Sequence, residues 1–344
     1  MKRPAAIGGL LLVLLAVVAL HSLQQRWQQP LAIAAQGFRL TVQAADSLHS
    51  VAAKLHREGV LRHPRLMVLY GRWTGADQQL QRGEYLLPAG STAESVLRLL
   101  QSGRVMQYQV TLPEGITLAR ALQILAQQEP LESVLQGAAD ARILRLVAPH
   151  ASPEGLFFPA SYRYPRGTTD WDILQRAHRE MRSRLQQEWR DRAPELPYET
   201  PYEALVMASI IERETGLPQE RARIAGVFVR RLQRGMRLQT DPTVIYGLGD
   251  TFDGDLLGSH LRDPANPYNS YRHHGLPPTP IALPGAGAIH AALHPEPGAA
   301  LYFVARGDGG HVFSDTLAEH REAVRKYQLQ RRSDYRSSPG KASR

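Results

Sequence analysis

The stretch from Leu205 to Gly247 constrains this chain more than any other. It opens L-V-M-A-S-I-I-E-R-E-T-G, part of an apolar helix read over Tyr202–Thr215 that carries two carboxylates, Glu212 and Glu214, to its end at Thr215-Gly216. A basic amphipathic segment follows, then G-M-R-L-Q-T-D-P-T-V-I-Y-G, with a polar turn at Gln239-Thr240-Asp241-Pro242-Thr243. A carboxylic acid on an apolar helix, facing a polar platform, points to general acid/base chemistry on a polar substrate. The opposing reading of Glu-Arg-Glu is a solvated helix end.

Helical phase separates the two acids. Met207, Ile210 and Ile211 lie seven, four and three residues before Glu214 and share its face, whereas Leu205, Ala208 and Ser209 stand in that relation to Glu212. Apolar neighbours desolvate Glu214, and the helix C-terminus disfavours a negative charge there, so both effects raise its pKa against the pull of Arg213. A carboxyl that stays protonated near neutral pH can donate to a leaving oxygen.

With 344 residues, 43% of them apolar, the chain is long enough for one large or two modest domains and too apolar to be disordered. The absence of cysteine removes disulfides, thiolate zinc sites and cysteine nucleophiles. The net charge of +9 comes almost wholly from arginine, and no lysine lies between residues 55 and 325, which excludes a Schiff-base lysine in the main domain. A basic surface suits nucleic acid, anionic lipid or an acidic polymer, but no zinc-finger spacing or RNP-like motif favours nucleic acid.

Taken in order, residues 1–23 begin Met-Lys-Arg and run apolar from Pro4 to Leu20, near the roughly 17 residues that a membrane span requires. No small-residue cleavage site follows at the usual distance, so an uncleaved anchor is favoured over a signal peptide. Lys2 and Arg3 place the N-terminus on the cytoplasmic side of the inner membrane and the bulk of the chain outside it. Residues 24–36 read as a polar tether. Residues 37–105 begin a weak repeat of strand, turn, cap and helix, with helices at Leu48–Glu58 and Ala93–Gln101 and a third unit leading into Leu118–Gln127. Ser91 with Glu94 forms a capping-box pattern, and Asp46 or Ser47 and Thr117 are the other caps. Such units resemble LysM-like glycan-binding modules; a small α+β domain without a ligand fits the pattern equally well.

Residues 131–200 read as mostly helical, interrupted by the aromatic, Gly/Pro-broken segment Glu154–Tyr164 and ending in a helix from Trp171 to Trp189. Aromatic faces beside a carboxylate suit sugars, and Glu154, Phe158 and Tyr162 are the candidates there; a core cluster under a loop is the alternative. Pro218–Gly235 reads as a helix, and Thr243–Tyr246 as a short strand or helix start. Asp250, Asp253 and Asp255 lack the closing glutamate of a calcium loop, and His260, His273, His274, His290 and His294 show no H-E-x-x-H spacing, so no metal is expected. The Pro/Gly-rich segment 262–287 offers Asn269 and Tyr271 for N-acetyl or hydroxyl groups. Leu301–Ala305 and His311–Phe313 form a hairpin, Thr316–Tyr327 a closing helix, and residues 329–344 a disordered basic tail.

E-G-L-F-F-P, A-S-I-I-E-R-E-T, G-M-R-L-Q-T-D-P-T-V-I-Y-G, Y-N-S-Y and G-L-P-P-T-P-I-A-L-P-G together resemble the YceG-like (MltG) family of endolytic murein transglycosylases. The chain departs mildly from that pattern at Ala160, where the family often has an acid, and at Thr279. The resemblance implies an α+β architecture: a transmembrane helix, a LysM-like subdomain and a mixed α/β catalytic domain over residues 106–328. It implies lytic cleavage of the MurNAc–GlcNAc β-1,4 bond within glycan strands, with Glu214 as acid and then base and no cofactor. Gln239, Thr240, Asp241 and Tyr246 would frame or bind substrate, with Asn269 and Tyr271 next. The implied partners are glycan strands, the cytoplasmic membrane and peptidoglycan synthases, with the catalytic domain in the periplasm. A lysozyme-like hydrolase pairing Glu214 with Asp241 and a non-catalytic wall-binding tether are the alternatives; a PLP-dependent lyase conflicts with the missing lysine.

Overall fold

The computed structural model describes residues 14, 15, 17, 18 and 21–329. Most of the apolar N-terminal run and the basic tail after Leu329 lie outside the described residues. Among the described residues no helix is long and apolar enough to cross a membrane. Two units result: one reaches Gln109 and takes back Arg163–Thr168, and the other comprises Val110–Tyr162 and the chain from Thr169 onward. The return of Arg163–Thr168 to the first unit has no signal in the sequence.

In the first unit, alternation in Phe38–Val42 turns Leu40 and Val42 inward, and this strand pairs antiparallel with Gly83–Leu87, Leu40 opposite Tyr85. The helices Leu48–Arg57 and Ala93–Ser102 cover it with Val51, Leu55, Val96 and Leu100. Ser47 caps the first of these together with Ser50. The second is capped by Thr92 with Ser95, not by the expected Ser91 and Glu94, because the Ser91 hydroxyl donates to the Pro88 carbonyl at 2.7 Å. A further helix, Pro64–Thr74, lies between the strands, where no helix was expected. Gly71 in its middle weakens the helical pattern, and its reason is tertiary: a Cβ there would meet a Leu48 methyl at 2.0 Å.

The segment expected as a tether is bound to this unit. Trp27, Leu31 and Ile33 pack against its core, Trp27 lies 4.3 Å from Tyr70 between ring centres, and the Leu31 N–H donates to the Ser91 carbonyl.

The second unit is built around the glutamate helix, Pro201–Glu214. Thr200 caps it and Pro201 sits at its start, where a missing N–H costs nothing. All residues from Ala204 to Ile211 are buried, so the helix is enclosed on every side rather than along one stripe. It packs against the helices Ala286–Leu293, Arg221–Gln233, Asp170–Arg190 and Asp241–Leu248. The last begins at Asp241, with Pro242 in its first turn, and extends the short element expected at Thr243–Tyr246. Residues 131–200 are less helical than expected, with helices only at Ala141–Val147 and Asp170–Arg190, because prolines interrupt the chain between them. The hairpin Tyr302–Ala305/His311–Ser314 forms as expected, and Phe303 meets Phe228 edge-on at 5.6 Å.

Two sequence-distant motifs interlock beside the glutamate helix. The Ser209 hydroxyl accepts the Ile281 N–H at 3.0 Å, and Gly155 (φ 79°) lies where a Cβ would meet the Pro280 ring at 2.3 Å. Gly155→Ala combines a disfavoured backbone conformation with overlap against a rigid ring, so it should lower stability by about 2 kcal/mol or more. Thermal unfolding of the variant checks this; an unchanged Tm would contradict it.

Candidate active site

The glutamate helix ends by delivering its two acids into different surroundings. Glu212 is held on both oxygens: Oε1 accepts from Arg221 Nη2 at 3.0 Å and Oε2 from the Gly285 N–H at 2.9 Å. Gly285 is the residue before the Ala286–Leu293 helix, so Glu212 joins three helices as a structural tie. Arg213 reaches the Gly115 carbonyl at 3.0 Å. Burial raises the Glu212 carboxyl, opposed by the Gly285 N–H and by Arg221.

Among the described residues Glu214 has one hydrogen-bond partner. Its Oε2 accepts the Thr240 hydroxyl at 2.7 Å. The edge of the residue is partly exposed, while its carboxyl sits among crowded protein atoms. Burial pushes its pKa up to about 7; the Thr240 hydroxyl pulls it down and the negative charge of Asp241 pushes it up.

Thr240 is placed for this contact by an unusual use of a cap. It precedes the Asp241–Leu248 helix at the capping position, yet its hydroxyl makes no bond to that helix. Its backbone is clamped instead. The Thr240 N–H donates to Ser270 Oγ at 3.0 Å, and the Thr240 carbonyl accepts from Thr243 Oγ1 at 2.7 Å. The loop before it is held by Arg231, which donates to the Leu238 carbonyl at 2.6 Å and to Gln239 Oε1 at 3.3 Å. Gln239 itself adopts a left-handed backbone, φ 53°, a conformation that is rare outside glycine and clusters at functional sites. On the other side, Tyr271 donates its hydroxyl to Asp241 Oδ1 at 2.7 Å, and burial pushes the tyrosine pKa up. The result is a polar rim of Thr240, Asp241, Tyr271 and Gln239 around one buried acid.

The same Asp241–Leu248 helix reaches a second acid. Tyr246 donates toward Glu154 Oε2 at 3.4 Å, and Glu154 Oε1 accepts the Leu118 N–H at 2.9 Å. Burial pushes Glu154 up to about 7 against those bonds. Tyr246 also meets Tyr268 edge-on at 4.9 Å.

The other expected contacts are occupied within the chain. Asn269 is fully buried, and its amide donates to the carbonyls of His260, Leu261 and Asp263, which makes it a bracket for its own loop. Phe158 lies under the Arg184 guanidinium at 4.4 Å, and the Tyr162 hydroxyl donates to the Phe158 carbonyl, so both face the Asp170–Arg190 helix. Ser270 and Arg231 fix the loop bearing Thr240; the sequence pattern assigns Arg231 to a solvated outer helix face, whereas it is buried because it turns in to the Leu238 carbonyl, and Ser270 is one of the hydrogen-bonding side chains that the Pro/Gly-rich segment offers.

A profile of the YceG-like family matches residues 40–326, and the chain belongs to that family. An endolytic murein transglycosylase of Bacillus subtilis is 29% identical over 306 residues, covering 84% of each chain. One of Streptococcus pneumoniae serotype 2 is 27% identical over 301 residues, 78% of this chain and 54% of its own; this chain thus spans about half the length of the streptococcal relative. A solved YceG-like protein of Listeria monocytogenes is 27% identical, covering 84% of this chain and 99% of its own, with a TM-score of 0.49.

The two glutamates should respond oppositely to substitution. Because the Glu214 value rises from the ordinary 4.5 to about 7, the folded state holds the extra proton between those pH values, and stability due to this group falls as pH rises through that window. Glu214→Gln should therefore raise stability at pH ~8 by on the order of 1–3 kcal/mol, seen as a higher Tm, and leave it nearly unchanged below pH ~4.5. Glu212→Ala strands the Gly285 N–H and Arg221, and should cost about 2–4 kcal/mol at neutral pH. Calorimetric unfolding of both variants across pH tests the pair; stabilisation by neither would contradict the assignment of roles.

Proposed function

We infer that this chain is an endolytic peptidoglycan lytic transglycosylase that cleaves the MurNAc–GlcNAc β-1,4 bond inside glycan strands, with Glu214 as the catalytic residue. The observation that carries this reading is the buried Glu214 carboxyl, raised to about 7 and held by one hydroxyl at the end of the apolar helix, in a chain of the YceG-like family. The curated relatives named endolytic murein transglycosylase support the substrate and the reaction class.

The chemistry suits one carboxyl. Protonated Glu214 gives its proton to the glycosidic oxygen as the C1–O bond breaks, and the GlcNAc end leaves with a free hydroxyl. The resulting carboxylate, supported by the Thr240 hydroxyl, takes the proton from the C6 hydroxyl of MurNAc as O6 bonds to C1. A 1,6-anhydro ring forms, no water is consumed, and Glu214 ends protonated again. Asp241, oriented by the Tyr271 hydroxyl, offsets positive charge developing at C1 in this scheme. Glu154 and Tyr246 are further substrate contacts. The first unit is a LysM-like glycan-binding module in this reading, and the apolar N-terminal run is a single-pass inner-membrane anchor that keeps the enzyme near newly made strands and their synthases, outside the cytoplasm.

Digests of purified glycan strands, read by mass spectrometry, test the reaction. The expected products end in anhydro sugars, one water lighter than hydrolysed ends, and are absent with Glu214→Gln. Hydrated reducing ends would make Asp241 the partner of a hydrolase, and products unchanged in Glu214→Gln would remove the catalytic role. Glu212→Gln, which retains an acceptor for the Gly285 N–H, should keep far more activity than Glu214→Gln when both are folded; equal losses would contradict the division between the two acids.

A further inference from the structure

We propose that Glu188, His290 and His294 form a binding site for a divalent transition-metal ion of the zinc class, on the outer side of the second unit and separate from the Glu214 network. His290 lies in the last turn of the Ala286–Leu293 helix and His294 caps its end, so their spacing puts both rings on one face, stacked at 4.3 Å between centres. Glu188 comes from the last turns of the Asp170–Arg190 helix. Its Oε2 lies 2.9 Å from His290 Nδ1 and 3.7 Å from His294 Nε2, and the three ligand atoms fall within 4.8 Å of one another.

A tetrahedral ion with ligand bonds of about 2.0–2.2 Å holds its ligand atoms roughly 3.4 Å apart. The three atoms lie within 4.8 Å of one another, close to that spacing, and the backbones beneath them are tied. The Ala193 N–H donates to the Leu293 carbonyl at 2.9 Å, joining the chain just after Glu188 to the residue before His294. The His294 N–H closes the last turn on the His290 carbonyl at 2.8 Å. The site also sits at a helix C-terminus, whose dipole favours a cation.

The donor set selects the ion. Two imidazoles and one carboxylate suit zinc, copper, nickel or cobalt and are poor for calcium or magnesium, which take oxygen ligands. The His290 side chain is 61% exposed, so water completes the coordination. On binding, His290 Nδ1 and His294 Nε2 donate lone pairs. A proton on either ligating nitrogen moves to the other ring nitrogen or to solvent as the bond to the ion forms. The ion would clasp two helices that both pack on the glutamate helix, one of which follows directly on the residue bonded by Glu212. Sequence spacing hides the site because the carboxylate precedes the histidine pair by 102 residues.

Calorimetric titration of untagged, chelator-stripped full-length protein with zinc, and absorption spectroscopy with cobalt, test this. One ion per chain at on the order of micromolar Kd is expected, with the visible bands of four-coordinate cobalt and a Tm that climbs with zinc concentration. His290→Ala, His294→Ala and Glu188→Gln should each weaken binding by about 100-fold or more. The exposed His290 variant should keep the metal-free Tm and circular dichroism, which separates lost binding from lost fold. Binding weaker than millimolar, or equal in wild type and the His290 variant, would overturn the proposal.

Discussion

The account rests on the bond between the Thr240 hydroxyl and the Glu214 carboxyl, made where water is largely displaced. Burial and the charge of Asp241 push the acid toward its neutral form, the Thr240 hydroxyl pulls it back, and a free carboxyl would be ionised at neutral pH. One hydroxyl at 2.7 Å sets a balance near 7, where the group can both give and take a proton. Much of the surrounding structure exists to keep that hydroxyl in place. Ser270 and Thr243 clamp the Thr240 backbone, Arg231 holds the loop before it, and Asn269 braces the loop that carries Ser270.

The same helix end shows how two chemically identical side chains acquire different jobs. Glu212 meets a cation and a backbone donor and becomes a joint between helices. Glu214, two residues on and roughly opposite it around the helix, meets one neutral hydroxyl and the field of Asp241. The difference lies in what faces them from other elements, since the enclosing helices cover every side of Ala204–Ile211. Helical phase therefore ranks the two acids only weakly; the partners decide.

What could be read from the chain alone follows from the range of the forces involved. The glutamate helix, the Asp170–Arg190 helix and the C-terminal hairpin are set by local periodicity, caps and turns, and appear within a residue or two of their expected bounds. The rim at Gln239, Thr240 and Asp241 was legible because its polar turn sits next to an apolar helix in sequence. The Pro64–Thr74 helix was not, because the packing of Leu48 onto Gly71 that explains its glycine is long-range. Ser270, Arg231 and the Glu188–His290 pairing belong to the same class, contacts between segments whose approach no local pattern encodes. The short side chains also misled at the Ala93–Ser102 helix, where Thr92 rather than Ser91 faces the free N–H groups.

The most direct test of the central claim is a titration of the Glu214 carboxyl itself, by infrared difference spectroscopy of wild type against Glu214→Gln. The account predicts that the protonated carboxyl signal lost in the variant titrates with a midpoint near 7. A midpoint near the ordinary 4.5 would contradict it, because an acid already ionised at neutral pH has no proton to give to the glycosidic oxygen.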